Sequence, residues 1–217
     1  YFVNTKIQET HSPENVFTFK DALAGYAELL SSTKFLSSAL TTAFQTAVFF
    51  AMMGFIGYSF QRMEISAKEF GVWMATTTVG YILGNLANKR LLKHYRIDVI
   101  TSVGAAASVA SLIIMEIWHI NSPSSPIGLA VPMIFVGLSN GVIIANSIIV
   151  ASSAIPRLRG SATGLVGAMQ MGAGGISGTI AIWLGADQNT SVGIITLIVI
   201  SFFSMISAWW STRLQRI

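Results

Sequence analysis

Polar and aromatic side chains recur at helical spacing inside the most apolar stretches of this chain, and they are its best candidates for binding a ligand. The candidates are four amides and two rings: Gln45, Phe49, Tyr81, Asn85, Asn146 and Gln170. An unpartnered amide in an apolar medium costs several kcal/mol, so each one should face protein, water or a ligand. For any single residue, hydrogen bonding between helices explains the pattern as well. Together, amides and rings suit a cavity for an amphipathic organic molecule better than one for a small ion.

Glycines form a second pattern, on one face of a predicted helix. The five are Gly160, Gly164, Gly167, Gly174 and Gly178. Placed about 100° apart along a helix, they make a smooth stripe. Such a stripe allows a neighbouring helix to approach closely. Close packing is one explanation, and bending or sliding of the helix during a conformational change is the other.

Catalytic chemistry has no comparable support. The chain has no cysteine, which excludes disulfides and thiolate metal sites. Its histidines, His11, His94 and His119, lack the spacing of metal ligands. Glu116 is the one ionisable residue within the apolar stretches, and it lies near the end of its stretch. With no phosphate-binding loop and no hydrolase or metalloprotease motif, we expect no enzyme activity, no cofactor and no metal.

Six apolar segments must position the candidate residues: 35–60, 70–87, 99–118, 127–154, 161–184 and 192–210. Roughly 20 helical residues cross a hydrocarbon core of about 30 Å, and every segment is close to that length or longer. A composition of 53% hydrophobic and 10% charged residues is too apolar for a soluble domain. Backbone groups in lipid must be paired within a helix. The sequence therefore predicts an all-α membrane protein with a six-helix transmembrane bundle over 35–217.

Basic residues are expected at one end of this bundle. If the segments alternate across a membrane, one side collects eleven of the 13 Lys and Arg residues, and only Arg62 and Lys68 lie on the other. Basic residues in short loops mark the cytoplasmic side, so both chain ends are predicted to be cytoplasmic. The net charge of +4 is explained by this orientation, without nucleic acid as a partner. The cytoplasmic loops are expected to hold Asn88, Arg90, Arg157 and Arg159, and the three arginines to anchor the cytoplasmic helix ends and cross-link helices.

Residues 1–34 precede the bundle and are predicted to lie in the cytoplasm. Phe19, Leu23, Tyr26 and Leu30 recur at three- and four-residue spacing, which predicts an amphipathic helix over 15–33. That helix would lie on the membrane surface or pack on the cytoplasmic loops. Because the chain opens on Tyr1 and has no signal segment, we expect that it is a fragment.

The stretch 160–170, Gly-Ser-Ala-Thr-Gly-Leu-Val-Gly-Ala-Met-Gln, resembles a motif of a known transporter family. The motif is G-x-A-S-A-L-x-G-x-x-Q, which opens the eleventh helix of bicyclomycin-resistance-type (Bcr/CflA) drug–proton antiporters in the major facilitator superfamily. Upstream, Asn146 aligns with the asparagine of the family's P-N pair in its tenth helix. The loop from Asn88, including Arg90, is similar to the family's N-x-R-L-x-x-x-G, with Tyr95 in place of the glycine.

The resemblance implies that the chain is the C-terminal half, helices seven to twelve, of a twelve-helix transporter in a bacterial inner membrane. Such a protein would export a drug or small amphipathic compound in exchange for protons. Its partners would be membrane lipid, the substrate and an N-terminal six-helix half that supplies the protonatable acids. Two alternatives remain open: uptake of a sugar or metabolite by a related transporter, and a six-helix module that forms a homodimeric pore or a structural subunit.

Overall fold

A computed structural model describes residues 19–214, and regular structure in that range is entirely helical, as predicted. The elements are α1 (Phe19–Ser31), α2 (Thr33–Arg62), α3 (Ala67–Leu91), α4 (Ile97–Asn121), α5 (Pro126–Ser152), a 3-10 turn (Pro156–Leu158), α6 (Arg159–Trp183) and α7 (Thr190–Leu214). Each of the six predicted apolar segments overlaps one of the helices α2 to α7. The beginning of the predicted amphipathic helix, 15–18, lies outside the described residues.

Five of the described helices are long and apolar enough to cross a membrane: α2, α4, α5, α7 and the stretch Pro156–Trp183 that contains α6. The remaining long helix, α3, has 25 residues but is less apolar, because it carries three consecutive threonines and two asparagines. Length and composition therefore indicate a helical membrane bundle. A sixth span through α3 stays a prediction.

The helices begin and end where local chemistry satisfies their free backbone groups. Ser32, Ser66 and Ser125 precede α2, α3 and α5, and each side chain accepts a hydrogen bond from the backbone N–H three residues later. At α3 the cap is reciprocal, because Glu69 also accepts from the backbone of Ser66. After α6, Gly185 adopts φ 95°, the left-handed conformation that favours glycine at a helix end.

Four helices form the centre of the bundle, and two flank it. α2 and α4 each pack against both α5 and α7, while α6 lies mainly on α2 and α3 lies on α5. Consecutive helices α2 to α7 run antiparallel, since short loops join them. The arrangement repeats when α2, α3 and α4 are exchanged for α5, α6 and α7: the α2–α6 pair corresponds to α5–α3, and α2–α7 corresponds to α5–α4.

Antiparallel alternation brings the basic residues to one end of the bundle, here called the basic end. Among residues 19–214 it holds Lys20, Lys34, Lys89, Arg90, Lys93, Arg96, Arg157, Arg159 and Arg213, while Arg62 and Lys68 lie at the opposite end. The predicted separation of charge is therefore a property of the fold. The side of the membrane that each end faces stays a prediction.

The short helix α1 packs at the basic end, against α2 and α6. Leu29 is fully buried, Gly25 lies against Leu158, and Glu28 forms an ion pair with Arg157. The side chains of the predicted apolar stripe stay exposed instead: Leu23, Tyr26 and Leu30. The helix thus packs on the bundle through Gly25 and Leu29 and presents a second apolar side to its surroundings.

Candidate functional site

A cavity of about 310 Å³ opens between α2, α3 and α5. Its walls combine two aromatic rings, three threonines, one amide, one glycine and one aliphatic side chain. They are Thr46, Phe49, Thr77, Thr78, Tyr81, Gly137, Asn140 and Ile144. This volume is at the lower end of the range that drug-sized ligands occupy, and the mix of rings with a few polar groups is typical of small-molecule sites.

Contact between glycine-bearing backbones holds two walls of the cavity together. Gly80 and Gly84 of α3 face α5, and Gly137 and Gly141 of α5 face α3. At each of the four, an added Cβ atom would overlap a carbonyl oxygen of the facing helix. We call these four residues the α3–α5 seam. Because the backbones approach so closely along this seam, the side chains at its edge line the cavity.

A buried polar network orients the amide of the cavity wall. Gln45 is fully buried, and its Nε2 donates to Asn140 Oδ1 at 2.5 Å and to Ser108 Oγ at 2.9 Å. Ser201 of α7 donates to Ser108 at 3.2 Å, which extends the network across the bundle. The oxygen of Asn140 accepts from Gln45, and within residues 19–214 its amide nitrogen makes no hydrogen bond, so the nitrogen can donate to a ligand.

Thr77 places an unpaired hydroxyl in the cavity wall. The residue is only 3% exposed, and within residues 19–214 its Oγ1 has no hydrogen-bond partner. A buried hydroxyl without a partner is unfavourable by about 1–3 kcal/mol. The Oγ1 atom is buried as the side chain stands, so a ligand in the cavity would accept or donate a hydrogen bond there once the side chain rotates.

Gln170 lies behind the cavity and links α6 to α2. Its Nε2 donates to Thr42 Oγ1 at 3.0 Å and to Thr46 Oγ1 at 2.9 Å. Thr46 lines the cavity. Gln170 therefore acts on the site through Thr46.

Asn88 and Asn146 form a pair of their own at the basic end. Their amides exchange two hydrogen bonds, at 2.9 Å and 3.0 Å, and the residues are 5% and 0% exposed. Both amides are committed to each other, so Asn146 holds α5 to α3 and does not line the cavity. Asn85 donates to the carbonyl of Tyr81 on its own helix at 2.9 Å and does not line the cavity either.

The predicted cavity residues thus separate into three groups. Phe49 and Tyr81 line the cavity. Gln45 and Gln170 bind residues that line it, and Asn85 and Asn146 lie outside it. Six other lining residues were not among the predicted cavity residues: Thr46, Thr77, Thr78, Gly137, Asn140 and Ile144. The paired glycines four residues apart in α3 and α5 were the signal that could have identified these two walls.

The predicted glycine stripe on α6 is only partly used. An added Cβ at Gly174 would meet the ring of Phe50 at 2.7 Å, and Gly178 lies 3.6 Å from the ideal Cβ position of Gly54. At Gly160, Gly164 and Gly167, by contrast, no atom of the described protein lies within 4 Å of an added Cβ. We call these last three residues the α6 stripe. They face away from the bundle.

The remaining predicted residues lie at the basic end. Arg157 binds Glu28 and so ties the start of α6 to α1. Arg90 and Arg159 are exposed, at the end of α3 and the start of α6. Arg157 therefore links two helices, because its ion pair joins α1 to the start of α6.

No protein-family model matches this chain, and no curated protein is significantly similar to it. The resemblance to Bcr/CflA antiporters therefore stays a prediction that rests on its motif residues. The cavity and the packing of the helices are the observations that bear on the function.

Proposed function

We propose that this chain is the C-terminal six-helix half of a major-facilitator-type secondary transporter that exports small amphipathic compounds in exchange for protons. The observation that carries the proposal is the cavity between α2, α3 and α5. It combines the rings of Phe49 and Tyr81 with the unpaired hydroxyl of Thr77 and the amide of Asn140. The rings would stack on the apolar part of a substrate, and the hydroxyl and amide would orient its polar part.

The packing of the helices supports a transporter half. Each half of a major facilitator transporter contains two three-helix repeats of inverted topology. Here α2–α4 and α5–α7 are interchangeable in their packing, and because corresponding members are three positions apart in a series of antiparallel helices, the two triplets run in opposite directions. Substrate sites in such proteins lie where the repeats meet. The cavity lies at such a place, between α2 and α3 of one triplet and α5 of the other.

The surface of α6 supports a second six-helix unit as the partner. The α6 stripe is smooth and has no neighbour within the described protein. An N-terminal half packed there could rock against this bundle, which is the motion that alternating access requires. The charge separation supports a bacterial inner-membrane protein with the basic end in the cytoplasm. Protonatable acids would lie in the N-terminal half, as the resemblance implies.

The cavity walls allow a direct test in the complete protein that contains this chain. The complete protein would be expressed in bacteria depleted of other efflux pumps. Export of fluorescent amphipathic dyes would then be measured with and without a protonophore. We expect protonophore-sensitive export. Tyr81→Ala, which removes a stacking surface, should reduce export of aromatic dyes several-fold.

Thr77→Val gives the sharper comparison, because it removes an unpaired hydroxyl while keeping the shape of the side chain. We expect unchanged or slightly raised thermal stability together with a several-fold higher KM for dyes that carry a hydrogen-bonding group. Val79→Ala is the matched control, since Val79 is on the same helix, is 52% exposed and does not line the cavity. Unchanged export of every dye by both cavity variants would contradict the proposal that this cavity binds the substrate. Passive, protonophore-insensitive flux through a homodimer would favour a pore instead.

A further inference from the structure

A second cavity, unrelated to the proposed substrate site, lies on the outer surface of the bundle near its basic end. It is an apolar groove of about 420 Å³ between α3, α4 and α5. Leu91 and Tyr95 are the lining residues nearest the basic end and define its mouth, and Val103, Ala107 and Leu138 lie further along the helices. We call it the basic-end groove.

A third cavity serves as a natural comparison. It is an apolar groove of about 430 Å³ between α2, α6 and α7, lined by Ala173, Ile176, Leu184, Ile195 and Val199 among others. We call it the opposite-end groove, because the end of α6 and the start of α7 form its mouth. The two grooves have nearly the same volume and similarly apolar walls, so any difference in what they hold must come from their mouths.

Charge distinguishes the two mouths. Lys89, Arg90 and Lys93 are within two residues of Leu91 or Tyr95 in the chain, and all three are exposed. Within residues 19–214 their side chains form no ion pair or hydrogen bond. The loop 185–189 beside the opposite-end groove has no basic residue and one acidic residue, Asp187. The one cation that reaches this loop within residues 19–214 is Arg62 of α2, and its guanidinium is already hydrogen-bonded to the Asp187 carbonyl and to Thr190.

Tyr95 adds a group suited to the membrane interface. Its side chain is 61% exposed at the groove mouth. Tyrosine places an apolar ring toward the hydrocarbon and a hydroxyl toward the lipid headgroups. The groove could hold an alkyl chain. Next to its mouth in the chain are three positive charges without ion-pair partners and one interfacial ring.

We propose that the basic-end groove binds an anionic phospholipid of the surrounding bilayer, with one acyl chain in the groove and the phosphate at Lys89, Arg90 and Lys93. An acyl chain gains little by leaving lipid for an equally apolar groove. Selectivity must therefore come from the headgroup, and clustered basic residues beside a membrane helix attract anionic lipids. The inference requires that the bundle lies in a membrane, but it does not depend on transport.

Native mass spectrometry of the complete purified protein would test the headgroup part. The protein would be released from nanodiscs that contain equal amounts of phosphatidylglycerol and phosphatidylcholine of the same acyl length. We expect retained phosphatidylglycerol to exceed phosphatidylcholine, and K89Q/R90Q/K93Q to reduce that excess about tenfold. The matched control is K20Q/K34Q/R159Q, which removes three charges from the same end but from α1, α2 and α6. Equal retention of both lipids, or an equal loss in both triple variants, would overturn the proposal.

Two single substitutions would test the acyl-chain part. Ala107→Leu narrows the basic-end groove, and Ala173→Leu narrows the opposite-end groove. We expect only Ala107→Leu to lower phosphatidylglycerol retention, by several-fold, while thermal stability without added lipid stays the same in both variants. Unchanged retention in Ala107→Leu would exclude the groove as the acyl site. Dye export by the same variants is scored separately, so failure of transport and failure of lipid binding give different results.

Discussion

The α3–α5 seam carries glycines four residues apart and the α6 stripe carries them three and four residues apart, but their surroundings are opposite. In the seam, Gly80 and Gly84 face Gly137 and Gly141, and an added Cβ at any of them would enter the backbone of the other helix. In the α6 stripe, represented by Gly164, an added Cβ would meet no atom of the described protein.

The difference teaches how far glycine spacing can be interpreted. Spacing indicates that a helix face is smooth, but a smooth face becomes a contact only when the surface opposite is smooth as well. α3 and α5 meet this condition reciprocally. α6 packs at two of its stripe glycines, Gly174 against the bulky ring of Phe50 and Gly178 against Gly54, while the α6 stripe itself is left open.

The largest expected effect comes from breaking the seam. Gly84→Leu would force a branched side chain into the carbonyl of the facing helix, and we expect destabilisation of about 3 kcal/mol or more. The measurement is the yield of monodisperse protein and its thermal unfolding in detergent. Gly164→Leu is the control, because it places the same side chain on the open stripe. Similar unfolding temperatures for the two variants would show that the seam is not tightly packed.

An intermediate effect is expected from the asparagine pair next to the seam. Asn146→Leu should destabilise the bundle by about 1–3 kcal/mol, because it leaves the buried Asn88 amide unpaired. Asn88→Leu/Asn146→Leu should recover part of that loss, since no polar group is then left alone. A double-mutant cycle on unfolding free energies measures the coupling. Strict additivity of the two single substitutions would mean that the amides do not interact.

The smallest effect is expected on the open stripe itself. Gly164→Ala should raise stability by about 0.4–1 kcal/mol, because alanine restricts the unfolded chain and meets no clash in the helix. The same change at Gly84 should lower stability. If the stripe packs against a second six-helix unit, Gly164→Ala in the complete protein should also slow dye export. A fall in the unfolding temperature of the isolated bundle would mean that the stripe is already covered within it.

Several features could be predicted from the sequence because they depend on the solvent rather than on any partner helix. Long apolar segments must form helices wherever lipid surrounds the backbone. Their alternation then places Lys34, Arg90 and Arg159 at one end, whatever the tertiary packing. Phe49 and Tyr81, which were selected from the sequence, line the cavity between α2, α3 and α5, and the binding of a substrate there stays a prediction.

Only the tertiary structure decided what each polar face meets. The amides of Asn140 and Asn146 lie on the same helix, but one lines the cavity and the other is sealed against Asn88. Helical periodicity specifies the direction of a side chain around its own axis. It does not specify which helix stands opposite, at what distance, or whether the facing residue is glycine or phenylalanine. Those properties arise from the simultaneous packing of all the helices, so the sequence alone determined the bundle and its charged ends, and the tertiary structure determined its sites.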